Sequence, residues 1–231
     1  MTHLSIRTLA LALCTALPAA AGAQVNLLSN GSFELGGFVN QGNDTMSLAA
    51  GSAVMTGWTV VHDTTAWIGA TNPFGLSASD GSFFLDLTNY ETGAPFAGVS
   101  QVIATTPGAT YALSFDLGSS NFWGRPDAIT ASAGGTSATF TAPLTGTNND
   151  WQHVSMQFTA GSSLTTVLLQ GVTGSRYIGL DNASVNFLSG PGDTTVPPVP
   201  AVPEPGTWAL MVAGLAGLGV TLRQRRGPLT R

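Results

Sequence analysis

The chain has 231 residues, of which 43% are hydrophobic and only 8% are charged, and its formal net charge is −5 at pH 7. An average soluble domain is roughly 25% charged, and a nucleic-acid-binding surface needs clustered Lys and Arg to neutralise phosphates. All seven basic residues are Arg, and the hydrophobic content is too high for disorder along the whole length. The composition therefore excludes nucleic-acid binding and is typical of an exported all-β protein.

Residues 1–23 have the features of a secretory signal peptide. Arg7 supplies the positive charge, residues 9–17 form an apolar run, and Ala21 and Ala23 form an A-x-A cleavage site before Gln24. The only cysteine, Cys14, lies in this segment, so the exported protein would contain no disulfide. We therefore expect core burial to hold the body together, with a metal ion as a further aid.

The body, residues 24–189, shows apolar and polar residues in alternation, with a period of two. The inward-facing positions of two such runs are Tyr111, Leu113 and Phe115, and Val154, Met156 and Phe158. Turn clusters separate nine to eleven short runs, and no stretch has a sustained 3.6-residue period. This pattern predicts one all-β domain, a jelly-roll β-sandwich.

The two ends of the body carry motifs that resemble a known group of domains. Residues 26–34 read Asn-Leu-Leu-Ser-Asn-Gly-Ser-Phe-Glu, and residues 178–185 read Ile-Gly-Leu-Asp-Asn-Ala-Ser-Val. With Gly57-Trp58, they resemble galactose-binding-like jelly-roll domains, and the pattern is similar to the bacterial choice-of-anchor C group. More distantly, the body is similar to carbohydrate-binding modules.

This resemblance implies a structural Ca²⁺ ion that joins the first strand to the last. Glu34 matches the acidic position of the opening motif, Asp181 matches that of the closing motif, and Asp80 precedes Gly81 where a third ligand often lies. Carboxylate and carbonyl oxygens suit this cation. The alternative is that these carboxylates accept hydrogen bonds from turn amides.

The C-terminal region has three parts after the body. Residues 190–201 form a Pro/Thr linker, residues 202–226 contain a Pro-Glu-Pro motif and an apolar run at 208–222, and residues 227–231 are a short tail. A 15-residue helix spans roughly 22 Å, less than the roughly 30 Å hydrocarbon core of a bilayer. The run therefore predicts a marginal membrane helix, with flanking arginines that extend its reach.

This order of features resembles the PEP-CTERM sorting signal of Gram-negative bacteria, and the alternative is a plain membrane anchor. The resemblance implies that an exosortase-type membrane protease acts near the Pro-Glu-Pro motif. The protein would be anchored transiently in the inner membrane and would then reach the cell surface or the extracellular matrix. The residues that carry the resemblance are Pro203, Glu204, Pro205, Arg223, Arg225 and Arg226.

Aromatic residues in predicted loops are the candidates for glycan binding, because a sugar site needs flat aromatic faces and a few polar partners. Residues 121–125, which read Asn-Phe-Trp-Gly-Arg and place Trp123 near Arg125, are the most suggestive stretch, and Trp67, Phe74 and Tyr90 also fall in predicted loops. The alternative for Trp123 is loop packing over one end of the sandwich. Trp58 and Trp151 begin predicted strands and are expected in the core.

Catalysis has the weakest support in the sequence. His62-Asp63 and the distant His153 are the candidates for a metal or triad site, and they give it little support. No spacing singles out a pair of carboxylates for glycoside hydrolysis. We therefore expect a non-catalytic surface or matrix protein that associates with exopolysaccharide. The alternatives are a structural matrix protein without a specific ligand and a hydrolase that acts on matrix glycans.

Overall fold

The computed structural model describes residues 25–120, 122–123, 126–142 and 149–192. The compact unit that holds these residues ends at Pro191. Arg125, the signal cleavage site and the sorting tail lie outside the described residues, so the structure does not test the predictions made for them. Within the described part of the chain, no helix is both long enough and apolar enough to span a bilayer.

Eleven strands in the described residues form two antiparallel sheets. The six-stranded sheet has the order β1-β3-β4-β11-β6-β9, with β1 at Thr45–Leu48, β3 at Thr65–Gly69, β4 at Phe83–Asp86, β6 at Thr110–Ser119, β9 at Asp150–Thr159 and β11 at Gly179–Ser189. The five-stranded sheet has the order β2-β5-β10-β7-β8, with β2 at Thr59–Val61, β5 at Gly98–Ala104, β7 at Asp127–Ala133, β8 at Thr136–Ala142 and β10 at Leu164–Thr173.

The last eight strands have the connections of a jelly roll. Among β4–β11, every connection crosses from one sheet to the other except the β7–β8 hairpin. The order is therefore β4-β11-β6-β9 in one sheet and β5-β10-β7-β8 in the other, which is the double Greek key of a jelly roll. β1 and β3 extend the first sheet beyond β4, and β2 extends the second beyond β5. The predicted fold class is confirmed.

The core lies between the two sheets, and alternation along the strands supplies most of its side chains. In β9, Val154, Met156 and Phe158 are buried while their neighbours are exposed, because successive strand residues point to opposite faces. Trp58 is 1% exposed and donates from its indole to the carbonyl of Asn30 at 2.9 Å, so its predicted core position is confirmed. Trp151 instead packs on the outer face of the six-stranded sheet, where its indole donates to the carbonyl of Ser77.

Hydrogen bonds join the start of the body to its last strand. The Asn26 side chain donates to the carbonyl of Ala183 at 3.1 Å and accepts from the amide of Val185 at 2.9 Å. The amide of Leu27 donates to the carbonyl of Val185 at 2.8 Å. The resemblance implies that a cation joins these two parts of the chain. In the structure, the Asn26 side chain and backbone groups join them by hydrogen bonds.

Candidate functional site

A second apolar cluster lies on the outer face of the six-stranded sheet, away from the core between the sheets. Trp67 and Leu85 point into the core, whereas Ile68 and Phe84, which are paired across β3 and β4, point outward. Residues 70–82, called the covering segment below, run over this face, with Leu76 packed onto it. β3 is therefore buried on both faces. The covering segment shields the outer face of the sheet at β3 and β4 from solvent.

The covering segment is fixed at several points along its length. The Asn72 side chain donates to the carbonyls of Gly69 and Leu76 at 2.8 and 2.9 Å. The carbonyl of Ser77 accepts from the indole of Trp151 at 2.9 Å. Because these contacts tie the segment both to itself and to β9, the surface that it presents is already formed before any ligand binds.

A cavity of about 290 Å³ opens between this segment and the neighbouring loops, and we call it the aromatic cleft. The Phe74 ring lies 5.8 Å from the Tyr90 ring and 6.3 Å from the Trp123 ring, measured between centroids. Phe122, next to Trp123, is 70% exposed. The residues that line the cleft are Asn43, Thr45, Ile68, Phe74, Leu76, Asp86, Tyr90, Trp123, Arg176 and Tyr177.

Strand pairing explains why distant parts of the chain meet at the cleft. Asp86 at the end of β4 pairs with Gly179 at the start of β11. The loop after β4 and the loop before β11 therefore lie at the same end of the sheet, where β4 ends and β11 begins. The amide of Arg176 donates to the carbonyl of Glu91 at 2.7 Å, which places Arg176 beside the loop that carries Tyr90.

Asp86 organises both of these loops from beneath the cleft. Its carboxylate accepts from the amides of Thr88 and Ile178, each at 2.9 Å, and from the amide of Tyr90 at 3.1 Å. Complete burial raises its pKa to about 6, although these hydrogen bonds act in the opposite direction. Burial, and then the Asp86 carboxylate, raise the pKa of Asp127 to about 8.

Three residues that line the cleft have left-handed backbone conformations. The φ angles are 57° at Asn43, 70° at Tyr90 and 67° at Arg176. Asn tolerates this region, but Tyr and Arg rarely adopt it. Such strain costs roughly 1–3 kcal/mol per residue and is concentrated at binding and catalytic sites. The same region is adopted by six described non-glycine residues that do not line the cleft, so Tyr90 and Arg176 are notable for their residue type and not for the conformation alone.

Two of the predicted glycan-binding residues meet here, and one prediction is wrong. Trp123 and Tyr90 line the same cleft, on either side of Phe74. Trp67 lies in β3, is fully buried and donates from its indole to the carbonyl of Phe33 at 3.0 Å. The sequence pattern does not indicate a strand at Trp67, because the residues of β3 are buried on both faces and show no alternation. Trp67 is a core residue.

Arg176 is the cleft residue that the sequence interpretation missed. The signal was present, because Arg125 and Arg176 are the only basic residues of the body, but its place beside Tyr90 depends on the pairing of β4 with β11. Tyr177 is also missing from the predicted site. It is 1% exposed, and burial, followed by the charges of Asp86, Asp127 and Asp181, raises its pKa well above the ordinary value.

The three predicted calcium ligands converge on the end of the covering segment, and we call them the carboxylate cradle. Asp181 accepts from the amides of Ser79 and Asp80 at 2.8 and 3.0 Å. Glu34 accepts from the amides of Ser82 and Phe83 at 2.8 and 2.7 Å.

The remaining member of the cradle, Asp80, accepts a hydrogen bond from the hydroxyl of Ser32. In the described ranges, no group of three or more acidic, His or Cys side chains is arranged to hold a metal ion. The residues fit amide binding better than cation binding, and calcium stays a prediction from resemblance.

The histidines form no constellation of catalytic groups in the described part of the chain. Nδ1 of His153 lies 2.6 Å from a carboxylate oxygen of Asp116, and the Asn182 side chain donates to the other oxygen at 3.1 Å. His62 lies in a turn with φ of 69°. Neither histidine lines the aromatic cleft.

The fold and the cleft define a class: a jelly-roll β-sandwich with a preformed aromatic site on the outer face of one sheet. Residues 26–178 match the family described as Protein of unknown function (DUF642), and the chain belongs to that family. Residues 201–226 match the PEP-CTERM protein-sorting motif, which indicates an exported protein. The resemblance of the tail to this signal is confirmed.

Other proteins are similar to this chain at greater distance. Halomucin of Haloquadratum walsbyi is 28% identical over 210 residues, which are 87% of this chain and 2% of halomucin. The chain thus spans a small part of that relative.

Among solved structures, TmCBM61 in complex with β-1,4-galactotriose has a TM-score of 0.44 at 17% identity, covering 71% of this chain and 99% of that one. A family 16 carbohydrate-binding module has a TM-score of 0.39 at 20% identity, covering 69% and 99%. Both TM-scores are below 0.5, so the jelly-roll assignment rests on the strand order of this chain and not on these similarities.

Proposed function

We propose that this protein is an exported, non-catalytic carbohydrate-binding protein that associates with extracellular polysaccharide at the aromatic cleft. The observation that carries the proposal is the meeting of Tyr90, Phe74 and Trp123 around one cavity. A sugar ring needs flat apolar faces and a few polar groups in a concave, preformed site. The fixed covering segment supplies the rigidity, and Thr45, Asn43 and Arg176 supply the polar groups.

The sorting motif supports a function outside the cell. Under this proposal, an exosortase-type protease of a Gram-negative bacterium acts near Pro203, Glu204 and Pro205, and residues 208–222 anchor the chain in the inner membrane before that step. The protein then reaches the cell surface or the extracellular matrix. Polysaccharide is abundant in both places, which fits a binding role.

The single carboxylate of the cleft favours binding over hydrolysis. Glycoside hydrolysis uses two carboxyl groups that flank the scissile bond. Among the described residues that line the cleft, Asp86 is the one acidic residue. It is fully buried, and its oxygens accept hydrogen bonds from Thr88 and Ile178.

The test is co-sedimentation of the full-length protein with exopolysaccharide purified from the source organism. The protein is kept in a detergent whose headgroup contains no sugar. We expect Trp123→Ala to weaken retention at least about tenfold, since a buried aromatic anchor contributes about 2 kcal/mol or more to an interface. Phe187→Ala removes a 45% exposed ring at the far end of β11 and is the matched control.

Each outcome distinguishes the proposal from its alternatives. Loss of retention in Trp123→Ala, with an unchanged melting temperature and normal retention of Phe187→Ala, supports the proposal. Failure of the wild-type protein to bind would favour a structural matrix protein without a specific ligand. Release of reducing ends from the polysaccharide would show a hydrolase and overturn the non-catalytic assignment.

A further inference from the structure

The cationic group at the cleft is the starting point of a further inference. In the described ranges, Arg176 is the one Lys or Arg residue, and it lines the aromatic cleft. The body is otherwise acidic, with ten carboxylates between Glu34 and Asp181. The positive charge of the described structure is therefore concentrated at the surface where we propose that sugars bind.

The charge of Arg176 is not neutralised by a described carboxylate. The ion pair found in the described part of the chain joins His153 and Asp116, on another part of the same sheet. Asp86 also lines the cleft, but it is fully buried and accepts hydrogen bonds from backbone amides and the Thr88 hydroxyl. An exposed guanidinium beside apolar walls is less screened than one in open solvent.

The backbone holds Arg176 in a costly conformation at this place. Its φ is 67°, a value at which Gly or Asn would be less strained. Its amide is fixed to the carbonyl of Glu91 at 2.7 Å, so the residue remains beside Tyr90. A strained Arg at a position that Asn would tolerate indicates that the guanidinium is used there.

We propose that the aromatic cleft selects a glycan that carries isolated carboxylate groups, and that Arg176 binds this carboxylate while Tyr90 and Trp123 contact the sugar ring. This inference rests on the proposed carbohydrate-binding function. The planar guanidinium binds a carboxylate through two parallel hydrogen bonds. The acidic body repels a densely charged polyanion, so the carboxylates must be spaced along an otherwise neutral chain. A uronate branch and a pyruvate ketal both meet this description.

The experiment compares each acidic polymer with its own neutral form. The full-length protein in sugar-free detergent is run through gels that contain glucuronoxylan, a pyruvylated galactan, or either polymer after removal of its charge. Reduction to the alcohol removes the uronate carboxyl, and mild acid removes the ketal. We expect the wild-type protein to bind one of the acidic forms at least about tenfold more tightly than its neutral form. Added salt should reduce this preference.

Variants test whether Arg176 is the source of the preference. We expect Arg176→Gln to lose the preference and Arg176→Lys to keep part of it. Gln157→Glu, on the exposed face of β9, makes the same change of net charge away from the cleft and should keep the preference. Trp123→Ala should weaken binding of both forms.

The results separate this inference from the proposed function. Equal binding of acidic and neutral forms by the wild-type protein would overturn the inference and leave carbohydrate binding intact. A preference that survives in Arg176→Gln would also overturn it. Absence of binding to all four polymers and to the exopolysaccharide of the source organism would overturn both.

Discussion

The aromatic cleft and the carboxylate cradle lie under the same covering segment, one near its start and the other at its end. In the cradle, Asp181 and Glu34 direct their oxygens at backbone amides of residues 79–83. In the cleft, Asp86 does the same for Thr88, Tyr90 and Ile178, but aromatic rings and Arg176 are left at the surface above it.

The comparison teaches that the carboxylates of Asp86, Asp181 and Glu34 hold loops in place by accepting hydrogen bonds from backbone amides. The proposed binding surface is formed instead by the side chains that these loops carry. Calcium binding by the carboxylates and glycan binding by the loop aromatics both stay predictions. The predictions below test this division of roles.

The largest expected effect is that of Asp86→Ala. The substitution leaves the amides of Thr88 and Ile178 without their acceptor inside the protein, and the amide of Tyr90 keeps only the Thr88 hydroxyl. We expect a loss of about 3–5 kcal/mol in the free energy of unfolding, measured with urea, since each buried unpaired donor costs about 1–3 kcal/mol. Asp150→Ala, at an exposed position on β9, is the control. An unchanged unfolding midpoint for Asp86→Ala would contradict the anchoring role.

The next effect is a decrease of stability with rising pH. Burial raises the pKa of Asp86 to about 6, of Asp181 to about 7 and of Asp127 to about 8, from the ordinary aspartate pKa of 3.8. At pH values between the ordinary aspartate pKa and the raised pKa of each group, the folded chain holds a proton that the unfolded chain has lost. The free energy of unfolding should therefore fall as pH rises from about 4 to about 8 and then level off.

Asp127→Asn tests this pH dependence at the residue with the highest of the three values. The amide cannot ionise, so the fall in stability between pH 5 and pH 8 should be smaller than in the wild-type protein by about 2–3 kcal/mol. Urea unfolding at the two pH values measures the difference. The same pH slope in both proteins would show that Asp127 does not contribute.

A smaller effect is expected at the cradle from Gly81→Ala. Gly81 has φ of 70°, and a Cβ atom there would overlap Oε1 of Glu34, which is held by the amides of Ser82 and Phe83. We expect a loss of about 1–3 kcal/mol. Gly93→Ala, where a Cβ atom meets open space, is the control. Equal melting temperatures for the two variants would contradict the tight fit at the cradle.

The smallest expected effect concerns calcium. If the cradle binds amides rather than a cation, metal-free protein should melt at the same temperature with excess Ca²⁺ and with a chelator. A ligand of the folded state at 100 times its dissociation constant would add about 2.7 kcal/mol. A clear rise of the melting temperature with Ca²⁺, lost in Glu34→Gln, would restore the metal site that the resemblance implies.

The fold could be predicted from the sequence because most strands have one face in the core and one in solvent. Val154, Met156 and Phe158 alternate with exposed residues, and the predicted strand is present in the structure. β3 could not be found in this way, because its outer face is covered by residues 70–82. Trp67 consequently had no pattern to follow, and its assignment was wrong.

The cleft could be predicted only in part. Tyr90 and Trp123 were recognisable as aromatics outside the strand pattern, but they are 33 positions apart in the sequence. Their proximity depends on how the covering segment and Phe74 lie between them. Arg176 joins them only because β11 pairs with β4. The strand order cannot be read from a list of candidate residues. The sequence alone therefore does not show that Tyr90, Trp123 and Arg176 lie in one cleft.

The position of β11 within its sheet has a consequence for how the chain folds. This last strand is central, between β4 and β6, and it also receives the hydrogen bonds of Asn26 from the start of the body. Contacts between such distant parts of a chain form slowly. Until residues 179–189 have been synthesised, β4 and β6 lack their shared partner. The sandwich is therefore completed only after the last strand has been made, and a shorter nascent chain leaves one side of each of these two strands unpaired.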